Sequence, residues 1–207
     1  PGNFEISVTY TLTEENEVQI HYHGVSDKDT VANMTNHTYF NLSGHQNGTI
    51  LNHEVWIDAN AFTAIDEESI PTGEICQVKG TPFDFRKQKR VGDEIDADHK
   101  QLILAGGYDH NFVLNKEKGE LKKIAEVFDP ESKRKMEVST TCVGVQFYTG
   151  NFITEGVQGK EGAIYHKRSG LCLETQFFPD AVHHENFPSP ILKAGEPYDS
   201  VTIYKFI

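Results

Sequence analysis

Apolar and polar positions alternate with a period of two from one end of this chain to the other. In FEISVTYTL, Phe4, Ile6, Val8, Tyr10 and Leu12 fall on one face and Glu5, Ser7, Thr9 and Thr11 on the other, which predicts a half-buried strand. Glu14, Glu15 and Asn16 supply a turn, and Val18, Ile20 and Tyr22 resume the alternation, so residues 4 to 25 are predicted to form a hairpin. A second hairpin is predicted around DPESKR, Asp129 to Arg134, between IAEVF and MEVSTT, and SVTIYKFI predicts a closing strand. In GLCLETQFF, Leu171, Leu173 and Thr175 share one face of a strand while Cys172, Glu174 and Gln176 share the other. No long segment keeps apolar residues at three-and-four spacing, and 17 glycines and 8 prolines punctuate the chain. The predicted fold is all-β, a large antiparallel β-sandwich with few short helices. With no internal repeat, low-complexity segment or linker, residues 1–207 are expected to form a single domain.

Charge narrows the functional classes. A formal net charge of −12, spread along the chain, argues against nucleic acid as a partner, and the basic stretch RKQKR, Arg86 to Arg90, reads as a solvated turn. No apolar run approaches the roughly eighteen residues a membrane span needs, and PGNFEISVTY has no basic stretch followed by an apolar one. A cytoplasmic protein with no membrane partner is therefore expected. Cys76, Cys142 and Cys172 form a sparse, odd set without metal-ligand spacing, which suits reduced thiols, and Cys172 between Leu171 and Leu173 reads as packing. Asn-x-Ser/Thr sequons begin at Asn33, Asn36, Asn41 and Asn47 and are taken as incidental.

Several residues could carry chemistry. Glu174 stands inside an apolar stretch, where a carboxylate meets solvent, finds a partner or does work; read alone, an exposed or paired structural carboxylate is favoured over a catalytic one. Asp109 in GGYDHNF sits beside glycines and an aromatic, an arrangement common in sugar binding, where rings cover apolar C–H surface and carboxylates bind hydroxyls. His37, in NMTNHTYFNLSGH, is the side-chain type best suited to exchange protons near neutral pH, although a lone histidine is more often structural. His21 and His23 share a strand face, a spacing compatible with metal ligation, with Asp27 as a conceivable third ligand of a cupin-type site. The glutamate of such a site is missing, polar strand-face histidines are the favoured account, and no metal is expected. HHE, His183 to Glu185, is non-specific, and no phosphate-cradling loop or nucleophile elbow is present.

Taken together and in order, TNHTYFNLSGH, GGYDHNF, GVQFYTGNF, LCLETQFFPDA and NFPSPIL closely resemble the aldose 1-epimerase (galactose mutarotase) family across essentially the whole chain. The resemblance implies a large antiparallel β-sandwich and interconversion of the α and β anomers of free hexoses such as galactose or glucose. It also implies roles: His37 as general acid, Glu174 as general base, and Asp109 and Gln146 as ligands of substrate hydroxyls. The base takes the anomeric hydroxyl proton while the acid, on the opposite side, protonates the ring oxygen. No cofactor is implied. The family pattern normally begins with an amino-terminal stretch that carries a sugar-binding arginine and a second histidine in a Leu-His-Gly-Gly type segment. Neither is found here, so the chain resembles the carboxy-terminal portion, and a companion amino-terminal chain or self-association covering open strand edges is expected. In TTCVG, Cys142 and Val143 stand where the family usually has a proline before the glycine, which bears on the turn presenting Gln146. Two other functions are open: a non-catalytic carbohydrate-binding module, and a glycosidase pairing Glu174 with Asp109 or Asp180.

Overall fold

The structure is a computed structural model that describes residues 1–154 and 156–207. In chain order the strands are β1 (Phe4–Leu12), β2 (Glu17–Ser26), β3 (Thr30–Val31), β4 (Glu54–Ile57), β5 (Ala59–Ile65), β6 (Pro71–Gln77), β7 (Lys89–Arg90) and β8 (Asp109–Leu114). They continue as β9 (Lys122–Phe128), β10 (Lys135–Thr140), β11 (Gly144–Tyr148), β12 (Val157–Gln158), β13 (Ile164–Tyr165), β14 (Cys172–Gln176), β15 (Ile191–Leu192) and β16 (Pro197–Phe206). Among the described residues one α-helix, α1 (Lys100–Ala105), ends at Gly106, whose left-handed φ of 62° lets its N–H turn back onto the helix carbonyls. Among the described residues no helix is long and apolar enough to cross a membrane.

Two antiparallel sheets carry the architecture. A seven-stranded sheet runs β1-β2-β16-β10-β9-β4-β7 and a five-stranded sheet runs β14-β11-β8-β5-β6. Ile20, Tyr22, Ile124, Val127, Met136, Val138 and Tyr204 of the first pack in one apolar cluster with Phe62, Phe112, Val145, Phe147 and Leu173 of the second. This is the sandwich that the alternation predicts: each strand turns every second side chain inward. Both hairpins form, β1 with β2 and β9 with β10, and SVTIYKFI lies in β16 except for its last residue, Ile207.

The amino-terminal strand departs from expectation. Ile6, Val8, Tyr10 and Leu12 lie opposite Gly24, Tyr22, Ile20 and Val18, so their face is the core-facing side of the sheet. Yet β1 is the edge strand, beyond the reach of the smaller sheet, and exposure along this stripe rises from 38% at Ile6 to 79% at Leu12. The strand is amphipathic but not half-buried. Alternation encodes which face is apolar; it carries no information on whether anything covers that face. The basic stretch is only in part a solvated turn: Arg86 pairs with Asp84 at 2.7 Å in a bend, whereas Lys89 and Arg90 form β7 at the sheet edge and Lys89 pairs with Glu94.

Candidate active site

The outer face of the five-stranded sheet, away from the core, holds the candidate chemistry. On β11, Val145 and Phe147 point into the core, so Gly144, Gln146 and Tyr148 point out. Register then places Glu174 and Asn111 on either side of Gln146, and Cys172 and Asp109 on either side of Tyr148. On this face position 144 has room only for glycine, because a Cβ there would stand 2.4 Å from Asn111 Oδ1 and 3.0 Å from the Phe178 ring. The TTCVG turn leaves this register intact: Val143 accepts from Leu114 N at 3.1 Å and packs beside Phe178 and Phe187, and β11 starts in step with β14.

His37 comes from a distant part of the sequence. Its loop hangs on the free edge of β14 through a backbone bridge, Phe40 N to Leu171 O at 2.8 Å and Leu171 N to Phe40 O at 2.9 Å. The asparagines around it act as surrogate backbone. Asn33 donates to Phe177 O at 3.1 Å and accepts from Phe177 N at 2.8 Å, and Asn41 Nδ2 donates to Ser169 O at 3.1 Å. Tyr22 donates its hydroxyl to Thr35 O, the Tyr198 hydroxyl accepts from Met34 N, and the Tyr204 hydroxyl lies 2.7 Å from Leu173 O and 3.0 Å from Asn36 Oδ1. The hydrogen-bonding groups of NMTNHTYFNLSGH therefore moor a non-regular segment to a sheet edge.

All four sequence-predicted residues line one groove of about 400 Å³, with Tyr39, Tyr148, Phe152, Gln176 and Pro179, a size within the range of small-molecule sites. His37 Nε2 stands 3.3 Å from Glu174 Oε1, so the two are neighbours instead of partners on opposing sides. Behind them, Gln176 Nε2 donates to Gln146 Oε1 at 3.2 Å and Gln146 Nε2 donates to Asp109 Oδ1 at 2.8 Å. Tyr39 stacks on His37 with ring centroids 5.0 Å apart, and Tyr148 meets both edge-on. A larger cavity of about 530 Å³ adjoins the groove and shares Tyr39, Tyr148 and Phe152, but among the described residues its remaining lining, including Phe40, Ile153 and Tyr165, has no carboxylate.

Burial sets the proton affinities. Glu174 is 8% exposed, and its pKa is pushed from 4.5 up to about 7, first by burial and then by the charge of Asp109. Asp109 is also raised by burial, partly offset by the hydrogen bond from Gln146 and by the nearby His37. His37 touches Glu174 at the exposed mouth of the groove, yet burial and Asp109 prevail at that carboxyl. Beneath Asp109, His110 is fully buried, and burial lowers its pKa to about 3. Its Nδ1 accepts from Asp109 N at 3.2 Å and its Nε2 donates to Gln101 Oε1 at 3.1 Å, which fixes the tautomer and anchors the strand end that carries Asp109.

Sequence reasoning missed Arg168. It is 5% exposed, and its guanidinium donates to Thr149 Oγ1 at 2.8 Å and Gly106 O at 2.8 Å, bracing the turns that precede Asp109 and follow Tyr148. Gly107 is required there: at its φ of 140°, a Cβ would fall 2.2 Å from the Arg168 guanidinium. Tyr148 and Gln176 were legible only as strand neighbours of the named residues, and Tyr39 only as a ring in the His37 motif.

Metal-ligand groupings resolve differently from expectation. Asp27 is not near His21 and His23; it accepts from Asn3 N and Nδ2, each at 2.8 Å, and the carboxylate that meets the two histidines is Asp199. His37, Cys172 and Glu174 also converge, with Cys172 Sγ 3.4 Å from His37 Nδ1, but burial drives the Cys172 thiol far above its usual range and keeps it protonated, a poor ligand. Asp180, a candidate for glycoside hydrolysis, pairs with His183 and with His184 at 3.3 Å and does not line the groove.

Comparison with known proteins places this chain in a family. The family profile for aldose 1-epimerase matches residues 1–205. Galactose mutarotase of Bos taurus is 47% identical over 206 residues, covering 100% of this chain and 58% of that protein. Aldose 1-epimerase of Escherichia coli K12 is 41% identical over 210 residues, covering 100% of this chain and 60% of that protein. Among solved structures, an aldose epimerase homologue from C. elegans superposes with a TM-score of 0.87 at 28% identity, over 100% of this chain and 61% of that one. A galactose 1-epimerase from Lactobacillus acidophilus gives 0.85 at 29% identity, over 100% and 58%. The chain thus spans about three-fifths of the length of these relatives, and it belongs to the aldose 1-epimerase family.

Proposed function

We propose that this chain carries the proton-transfer centre of an aldose 1-epimerase acting on free hexoses such as galactose or glucose. The observation that carries the reading is the contact of His37 with Glu174 in a groove backed by Asp109 and Gln146. The anomeric hydroxyl and the ring oxygen share one carbon, so an acid and a base a hydrogen bond apart can reach both from one side. In the proposed step Glu174 accepts the proton of the anomeric hydroxyl and His37, as imidazolium, delivers a proton to the ring oxygen. The ring C–O bond breaks as the carbonyl forms. Rotation about the adjacent C–C bond and closure with the roles exchanged gives the other anomer. A base whose pKa lies near 7 is matched to exchange in both directions at neutral pH. Asp109 and Gln146 would hold sugar hydroxyls, with the aromatic wall of Tyr39 and Tyr148 beside the ring.

The exposed stripe Ile6, Val8, Tyr10 and Leu12 supports one addition: the amino-terminal segment of the family, in the same polypeptide or as a companion, would cover β1 and bring a sugar-binding arginine and a second histidine. A cytoplasmic setting, consistent with three free cysteines, belongs to the same proposal. Polarimetry on freshly dissolved α-D-galactose and α-D-glucose tests the activity: the chain should speed mutarotation and Glu174→Gln should not. Sugar binding without acceleration, with or without the amino-terminal segment supplied, would favour a non-catalytic module.

A further inference from the structure

Outside the groove, on the solvent face of the seven-stranded sheet, three metal-binding side-chain types converge. His21 Nε2 lies 3.0 Å and His23 Nδ1 3.1 Å from the same oxygen, Asp199 Oδ2. We propose that His21, His23 and Asp199 form a surface site for a divalent transition-metal ion of the zinc class.

Strand geometry builds the site. Two residues apart on β2, His21 and His23 project from one face, and Asp199 on β16 is the cross-strand partner of His23. β2 is hydrogen-bonded along its length to β1 on one side and β16 on the other, so ladders fix the backbone positions of all three donors before any ion arrives. The chosen ring and carboxylate atoms lie within 4.8 Å of one another. Tetrahedral ligands at about 2.0–2.2 Å from zinc are about 3.4 Å apart, so the histidine rings need only a small inward rotation. At 44% and 52% side-chain exposure they have the freedom for it. Two imidazoles and one carboxylate with open positions for water suit zinc, nickel or copper(II) better than calcium or magnesium, which prefer all-oxygen shells. The chain's net charge of −12 favours a cation. Such an ion would tie the second strand to the last, residues 176 to 178 positions apart in sequence.

Calorimetric titration of zinc chloride into the purified chain, in a non-chelating buffer near pH 7.5, tests the proposal. One equivalent should bind with a dissociation constant in the micromolar range. His23→Ala and Asp199→Asn should each weaken binding at least tenfold, while His37→Ala, which disturbs the other convergent cluster, should bind as the unaltered chain does. His23 and Asp199 face solvent on paired strands and His37 is exposed in a loop, and unchanged far-ultraviolet circular dichroism would establish that the variants fold. Ring-nitrogen chemical shifts on zinc addition should move at His21 Nε2 and His23 Nδ1. Absence of binding at millimolar zinc, binding insensitive to His23 and Asp199, or loss of binding in His37→Ala would each overturn it.

Discussion

Replacing Glu174 by glutamine should make the protein more stable while disabling its proposed chemistry. Burial and Asp109 hold the Glu174 pKa near 7 against an ordinary 4.5. Between those two values the folded state binds more protons than the unfolded state, so stability falls as pH rises through the window and levels off above it. At about 1.4 kcal/mol per pH unit, the ionised carboxylate weakens the fold by about 3 kcal/mol at pH 8. Glutamine keeps the shape and carries no charge. Urea unfolding of both proteins from pH 4 to 8 should give near-equal stabilities at pH 4 and a gap growing to about 3 kcal/mol in favour of Glu174→Gln at pH 8. Because the comparison is between two chains at each pH, other titrating groups largely cancel. A gap that is independent of pH, or one that favours the unaltered protein at pH 8, would refute the argument that burial governs this carboxyl. The same strain is what makes the group a usable base near neutrality, a trade of stability for reactivity.

Other outcomes follow from the same geometry. Mutarotation measured by polarimetry should fall as pH drops through about 7, where Glu174 takes up its proton, and Asp109→Asn should move that limb to lower pH by removing a like charge, while raising KM. His37→Ala should lower kcat by about 10²–10⁴ with a smaller change in sugar affinity measured by calorimetry. Gly144→Ala should cost about 1–3 kcal/mol in chemical unfolding, because its Cβ would press on Asn111 and Phe178. Tyr10→Lys with Leu12→Lys should reduce self-association of the isolated chain in size-exclusion chromatography, since these are the most exposed members of the apolar stripe on β1.

What could be read from the sequence depended on the range of the interaction concerned. Alternation is local, so it placed Cys172, Glu174 and Gln176 on a common face and predicted the β1–β2 hairpin. It could not show that β1 lies at an uncovered edge, because covering is a property of the other sheet. The resemblance singled out His37 and Glu174, but their adjacency arises from a bridge between Phe40 and Leu171 that no local pattern announces. Nearness in sequence suggested Asp27 beside His21 and His23, whereas strand pairing delivers Asp199. Arg168 escaped notice because arginine usually reads as surface, and only the folded chain shows the carbonyl and hydroxyl oxygens that receive its guanidinium.

The five residues of β14 are all buried, the inward Leu173 in the core between the sheets and the outward Cys172, Glu174 and Gln176 against His37, Gln146 and Asn111. Saturation mutagenesis should therefore find no permissive position along this segment, an unbroken intolerant block, whereas β2 should show tolerance every second residue. Homologues that acquire new sugar preferences would then have to diversify in the loops bordering the groove and leave this strand alone.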